Sequence, residues 1–320
     1  MNEDYLWDRE GEPKPDIVRL ERLLGELRWS HRPIRRTMLA QWWRRKTCRT
    51  MAAAAVTVLC LGGTYVVQRT QMMHPETSWQ LSLAGRKPSA VRAGQVIETA
   101  AATGATMESE SVGEVDIKPD SRLRLMAAYN GRQQLALDRG TIHAFIWAPP
   151  TKFVVDTPSA KTVDLGCQYT LSVGADGTGF LTVEMGWVAF QWRNIESFIP
   201  AGAACTTRPG HGPNTPYFLD APRALTKGLA EFDLTGNTQA LNMALASARP
   251  RDGLTLWHLL QRTQGQERAE VFDRFAKLVK LPSNLTREGI LSGDQKSMDA
   301  AWDALDLGDT SWWREWKRQW

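Results

Sequence analysis

Four cysteines and five histidines are the residues best equipped to do chemistry in this 320-residue chain. Cys167 lies within "VDLGCQYTLSV" (163–173), which alternates like a strand, and Cys205 lies within "PAGAACTTRPG" (200–210). Cys48 and Cys60 come much earlier. No two cysteines stand at metal-binding spacing. His31, His74, His143, His211 and His258 are scattered through different segments, and His143 alternates with Ile142 and Ala144 as a structural or surface residue would. There is no nucleophile elbow, phosphate-binding loop or H-E-x-x-H motif. Carboxylates are plentiful, and a glycosidase-type pair is the one enzymatic arrangement that spacing leaves open. We therefore expect no enzyme and no metal or other cofactor. What remains is thiol chemistry. Cys167 and Cys205 are 38 residues apart, and in an oxidising compartment a bridge between them would stabilise the fold by about 4 kcal/mol in the chain-entropy picture. Two separate buried thiols are the other reading. The choice depends on which side of a membrane this region occupies.

The elements around these residues begin with a charge asymmetry. Residues 1–50 hold twelve Lys/Arg against eight Asp/Glu, a surplus equal to the whole chain's net charge of +4, so the rest is balanced. From Arg32 to Arg49 there are seven basic residues and no acidic one. Such a run could contact nucleic acid, but "MAAAAVTVLCLGGTYVVQ" (51–68), which carries no charge, follows it directly. A helical membrane span needs about 17–25 residues, so this segment is at the short end. Arg44, Arg45, Lys46 and Arg49 flank it on one side, with Trp42 and Trp43 as interfacial anchors. Only Arg69 follows closely. The positive-inside rule then places the N-terminus in the cytoplasm and residues 69–320 outside. A cleaved signal peptide fits less well, because the apolar run starts 50 residues in and no small-x-small site follows it. A buried core helix is the plainer alternative.

At 42% hydrophobic and 23% charged, the chain is not wholly disordered and has enough apolar residues for a core. The pattern predicts a multidomain, mainly β plus α protein. "DIVRLERLLGELRW" carries Ile17, Leu20, Leu23, Leu24 and Leu27 at helical spacing, and Trp7 belongs to an aromatic cluster just before it. An isolated amphipathic helix has no core of its own, so in the cytoplasmic segment of residues 1–50 this face either packs against itself or the membrane surface or docks on a partner protein. Residues 78–217 read as all-β, with a hairpin at Asn130-Gly131. "LALDRGTIHAF" (135–145) and "LTVEMGWVAF" (181–190) share a strand-Gly-strand plan, with "SVGEVDI" a fainter copy; this predicts stacked sheets in a sandwich or a rolled, solenoid-like form. Residues 221–320 read as an α-helical domain, with Asp252 and Asp294 as N-caps. The tail "SWWREWKRQW" puts Trp313, Trp316 and Trp320 on one helical face, to cover this domain or to rest on a membrane or polymer.

Several segments of the β region, in unbroken order, resemble the exported domain of the FecR family. They are "GQVIET" (94–99), "VGEVDIKPDSRLRL" (112–125), "LDRGTIHAFI" (137–146), "FVVDTPSAKTVDLGCQYTLSV" (153–173), "LTVEMGWVAF" (181–190) and "IPAGAAC" (199–205). The F-x-V-x-T-P followed by D-L-G is the most specific part, with Cys167 standing where the family has Thr. The resemblance covers about residues 78–210 and implies a single-pass bacterial inner-membrane protein with a FecR-like all-β periplasmic domain. It implies a regulator that couples an envelope signal to a cytoplasmic sigma factor, with an envelope or outer-membrane protein or polymer as exported partner and no direct contact with nucleic acid. The long helical C-terminal region marks a divergent branch. The alternative is an anchored envelope-binding or scaffolding module without signalling.

Overall fold

The structure is a computed structural model; it describes residues 79–308, apart from 84, 86 and 130, together with Val18. The chain divides into two compact units, Met1–Met73 and His74–Trp320. In the first, Val18 is helical and exposed. The Leu20/Leu23/Leu24/Leu27 face, Trp7, the 51–68 segment and its Trp42, Trp43, Arg44, Arg45, Lys46 and Arg49 flank lie outside the described residues, as does the tryptophan tail. Among the described residues no helix is long and apolar enough to cross a membrane.

The second unit is mostly β-sheet with C-terminal helices. Its strands are β1 (Trp79–Leu83), β2 (Ser89–Val91), β3 (Val96–Glu98), β4 (Ala105–Ser109), β5 (Gly113–Ile117), β6 (Arg122–Tyr129), β7 (Arg132–Ile146) and β8 (Phe153–Asp156). They continue as β9 (Lys161–Asp164), β10 (Gln168–Val173), β11 (Gly179–Met185), β12 (Trp187–Trp192), β13 (Ile195–Pro200), β14 (Ala203–Arg208), β15 (Gly212–Pro213) and β16 (Tyr217–Phe218). One sheet has the order β2-β1-β4-β5-β7-β10-β11-β14-β15, with β16 also on β14; the other runs β3-β6-β7-β8-β9-β12-β13. Pairing is antiparallel except for β7 with β8.

β7 belongs to both sheets. Its first half pairs with β6 and β8, and its second half with β5 and β10. The hand-over falls at Gly140, whose φ of +97° is open to glycine, and a side chain there would run into Ser121. The same device recurs at Gly186, between β11 in one sheet and β12 in the other. In these two copies the strand-Gly-strand plan is thus a corner at which the chain changes layers, whereas Gly113 of the fainter copy opens β5 within one sheet. Asp164-Leu165-Gly166-Cys167 is a third corner, running from β9 to β10, where the Asp164 carboxylate accepts the Gly166 N–H at 2.7 Å.

Alternate residues of both sheets meet in one interior. Trp79 of the first sheet lies 6.1 Å from Phe153 of the second, and its Nε1 donates to Gln133 Oε1 at 2.9 Å. The helices follow as α1 (Arg223–Thr235), α2 (Thr238–Ser247), α3 (Gly253–Arg262), α4 (Gly265–Leu278), α5 (Arg287–Ser292) and α6 (Gln295–Asp303). They enclose a second apolar core. The Asp294 side chain caps α6 by accepting the Ser297 N–H at 2.9 Å. Asp252 makes no such cap; its buried carboxylate accepts the Arg249 backbone N–H at 2.8 Å and the Arg249 Nε at 2.9 Å.

Helices and sheets are locked together. Trp302 of α6 and Leu254 of α3 belong to the interior cluster of the sheets. Trp187 stacks on Phe198 at 4.7 Å, and Trp302 closes on Trp187, Phe198 and Trp257 at 5.9, 5.5 and 4.6 Å. His258 Nε2 accepts the Phe198 N–H at 3.0 Å, while its Nδ1 lies 2.9 Å from the Leu254 carbonyl, which fixes the Nδ1–H tautomer. Arg262 of α3 and Asp233 of α1, 3.5 Å apart and largely buried, form a polar pin beside this contact. Asp233 also accepts from Thr215, and Arg262 donates to Ser197 Oγ and the Asn214 carbonyl.

Candidate functional site

The predicted disulfide is not formed: Cys167 and Cys205 are both free and buried. Register is the reason. Cys205 lies opposite Leu181, which lies opposite Leu171, four residues beyond Cys167. Two strand spacings and four residues of strand rise put the Cα atoms on the order of 16 Å apart. A disulfide tolerates at most about 7 Å. Each thiol has a local partner instead: Cys167 donates to the Asp164 carboxylate, and Cys205 donates to the Asn214 carbonyl at 3.1 Å. Burial raises both thiol pKa values, that of Cys205 to about 12, so neither is poised as a nucleophile.

The Asp164 corner places a carboxyl in the interior of the sheets. Burial raises its carboxyl to about 7, against the lowering effect of the Cys167 and Gly166 hydrogen bonds. The nearby Tyr169 hydroxyl is buried without a hydrogen-bond partner. This cluster is closed to ligands: Asp164, Cys167 and Tyr169 are each at most 1% exposed. It holds the corner rather than a substrate.

His143 stands on the outer face of the first sheet, within 3.2 Å of Gln168 Nε2 and 3.5 Å of Glu184. Among the described residues, no group of three or more His, Cys, Asp or Glu side chains could hold a metal ion.

The surface feature best built for binding is a groove of about 630 Å³ on the outer face of the second sheet. Its floor follows from strand register. Gln134, Val154 and Val163 are neighbours across β7, β8 and β9, and the same row continues through Ala189 to Phe198, where the helices cover it. The groove is the uncovered part of that face. The parallel β7–β8 pairing brings Arg132 beside Lys152, whose carbonyl accepts the Gln133 N–H at 2.7 Å. Lys161 projects from β9, and Arg193 comes from the β12–β13 turn. Glu196 is the acidic residue among those lining it, and its carboxylate accepts from Gln191 at 2.9 Å. The wall formed by Asn194, Ile195 and Glu196 also bounds a second groove of about 440 Å³, which runs on to Asp233 and Arg262.

None of these groove residues stands out in the sequence. They are spread from position 132 to 196, and only β-register collects them. The available signal was weak: a lysine or arginine at outward positions of successive strands.

No family model matches the chain, and neither does any curated protein. Among solved structures it is similar to two crystal structures from Parabacteroides distasonis ATCC 8503, at 1.65 and 2.50 Å, described as a candidate anti-sigma factor. Each match has 13% identity and a TM-score of 0.33 over 37% of this chain, and spans 57% and 56% of the respective neighbour.

Proposed function

We propose that the chain is a FecR-type regulator of a cytoplasmic sigma factor, anchored once in the bacterial inner membrane. In this reading residues 1–50 are cytoplasmic, 51–68 span the bilayer and 69–320 lie in the periplasm. One observation carries it. The segments that resemble the FecR domain fold, in unbroken order, into strands of one continuous unit from β3 to β14, with Gly140, Gly166 and Gly186 at corners between layers. The Leu20/Leu23/Leu24/Leu27 face, with Trp7, docks on the sigma factor, and the β unit receives the envelope partner. The chain acts by binding, without catalysis or a cofactor.

The test is affinity capture from membranes with the full-length chain beside a version lacking residues 1–40, read by mass spectrometry. A sigma factor recovered only with the full-length chain supports the reading. No cytoplasmic difference between the two would overturn it.

A second reading, an anchored envelope-binding module without signalling, is favoured by an exposed aromatic pair. Phe145 and Trp147 meet edge to face at 5.6 Å, and are 40% and 47% exposed. Such a module would keep working with residues 1–40 replaced.

A further inference from the structure

We propose that the groove over β7, β8 and β9 binds an extended acidic peptide segment of a partner protein. This names the chemistry of the envelope partner, and so rests on the reading that the β unit is the receiving part.

Charge is the first argument. Arg132, Lys152, Lys161 and Arg193 line the groove against Glu196, in a chain that is balanced in charge beyond residue 50. Positive charge is thus focused here rather than spread over the surface. Lys152 and Lys161 form no ion pair with any described residue, and Arg193 lies 4.3 Å over the Trp192 ring. The nearby acids are already engaged: Gln134 donates to Asp156, and Gln191 to Glu196. Lys152 and Lys161 are therefore the cations open to a carboxylate from outside.

The floor is the second argument. Val154, Val163 and Ile195 offer small apolar patches between the amides of Gln134, Gln191 and Asn194. Amides can bond peptide N–H and C=O groups, and the apolar patches take alternate side chains of an extended strand. No aromatic residue lines the groove. Sugar rings are held on aromatic faces, so a polysaccharide is the poorer fit. The groove also continues past the Asn194–Glu196 wall into its neighbour, which suits a linear ligand.

Backbone strain is the third. Four non-glycine residues among those described have positive φ, and two of them, Thr151 at +69° and Arg193 at +53°, line this groove. For a β-branched residue such a conformation is costly, and strain of this kind collects at ligand clamps.

The experiment uses the purified full-length chain in detergent. The probe is a fluorescein-labelled decapeptide of alternating Glu and Val, with its Gln-Val counterpart and dextran sulfate as comparisons. Saturable binding of the Glu-Val peptide, weakened by salt and absent for Gln-Val, is expected. Lys152→Glu with Lys161→Glu should weaken it by roughly tenfold or more. Lys227→Glu, an exposed helical site, should leave it within about twofold. Lys161→Gln alone, at an exposed strand position, should cost about threefold and guards against misfolding of the double variant. Equal loss in Lys227→Glu, no saturable binding, or dextran sulfate binding that the peptide cannot displace would each overturn the proposal. The two readings fail separately. Loss of sigma-factor capture with peptide binding intact defeats only the regulator reading; the reverse defeats only the groove.

Discussion

Two buried titratable residues tie stability to pH in opposite directions. Burial and the Arg262 charge lower His258 to about 3, because its Nε2 must stay an acceptor for Phe198. An unfolded chain takes up a proton near pH 6.5 that the folded chain refuses, so stability falls as pH drops from about 6.5 to about 3. Asp164 does the reverse. Its folded pKa, raised to about 7, lets the native state hold a proton that the unfolded chain has released, so its contribution falls as pH rises from about 4 to about 7. The windows overlap and the effects partly cancel. Urea unfolding of single variants across pH separates them: His258→Gln should lose the acid-side decline, and Asp164→Asn should lose the decline between pH 4 and 7. Profiles that match the parent would refute both assignments. At this scale the sequence offered residue types but not environments. Nothing in "LTLWHLLQR" distinguishes a histidine that plugs a strand edge from one at the surface.

The element that organises the fold is the glycine corner. At Gly186 φ is +75°, and a Cβ would meet the carbonyl oxygen of Gly166 and come within 3.1 Å of the Cys167 Cα. Gly186→Ala therefore combines left-handed strain with a backbone clash, and should destabilise by about 2–4 kcal/mol. Thermal or urea unfolding would show it, and a loss below about 0.5 kcal/mol would mean the corner adapts freely. The strand-Gly-strand plan was visible in the sequence because φ above zero needs glycine almost regardless of context. That Gly140 and Gly186 each mark a change of sheet was not visible, since the pairing partners on either side are distant in sequence. The first four helices were legible from their apolar spacing. The start of α6 was marked by its cap, Asp294, but the six-residue α5 was not singled out, because few apolar positions fit in so few turns.

As a whole, the described part of the second unit joins two cores through an aromatic cluster, with apolar and polar contacts beside it. Trp302 belongs to the sheet interior although it comes from α6, and Trp257 packs against both cores. Trp302→Ala should cost about 3–5 kcal/mol, as for other large aromatic truncations in a core. Helices and strands should still unfold in a single transition by far- and near-ultraviolet circular dichroism, because Leu254, His258 and Arg262 continue to bridge them. Two separated transitions in the parent protein would mean that helices and sheets are independent modules.

The sequence by itself determined the class of element along most of the chain. Hydrophobic period, turn glycines and caps are local properties, and local physics suffices to read them. It also determined the charge asymmetry and the uncharged apolar run at 51–68. The tertiary structure decided what depends on register. It separated Cys167 from Cys205 by two strands and a four-residue offset, where spacing along the chain had left a bridge open. It placed helices on one end of a sheet face and left a basic groove at the other, using residues from five strands and their turns. Cross-strand pairing is a long-range choice made by burial of the whole interior, and one residue of slip would invert every side chain involved.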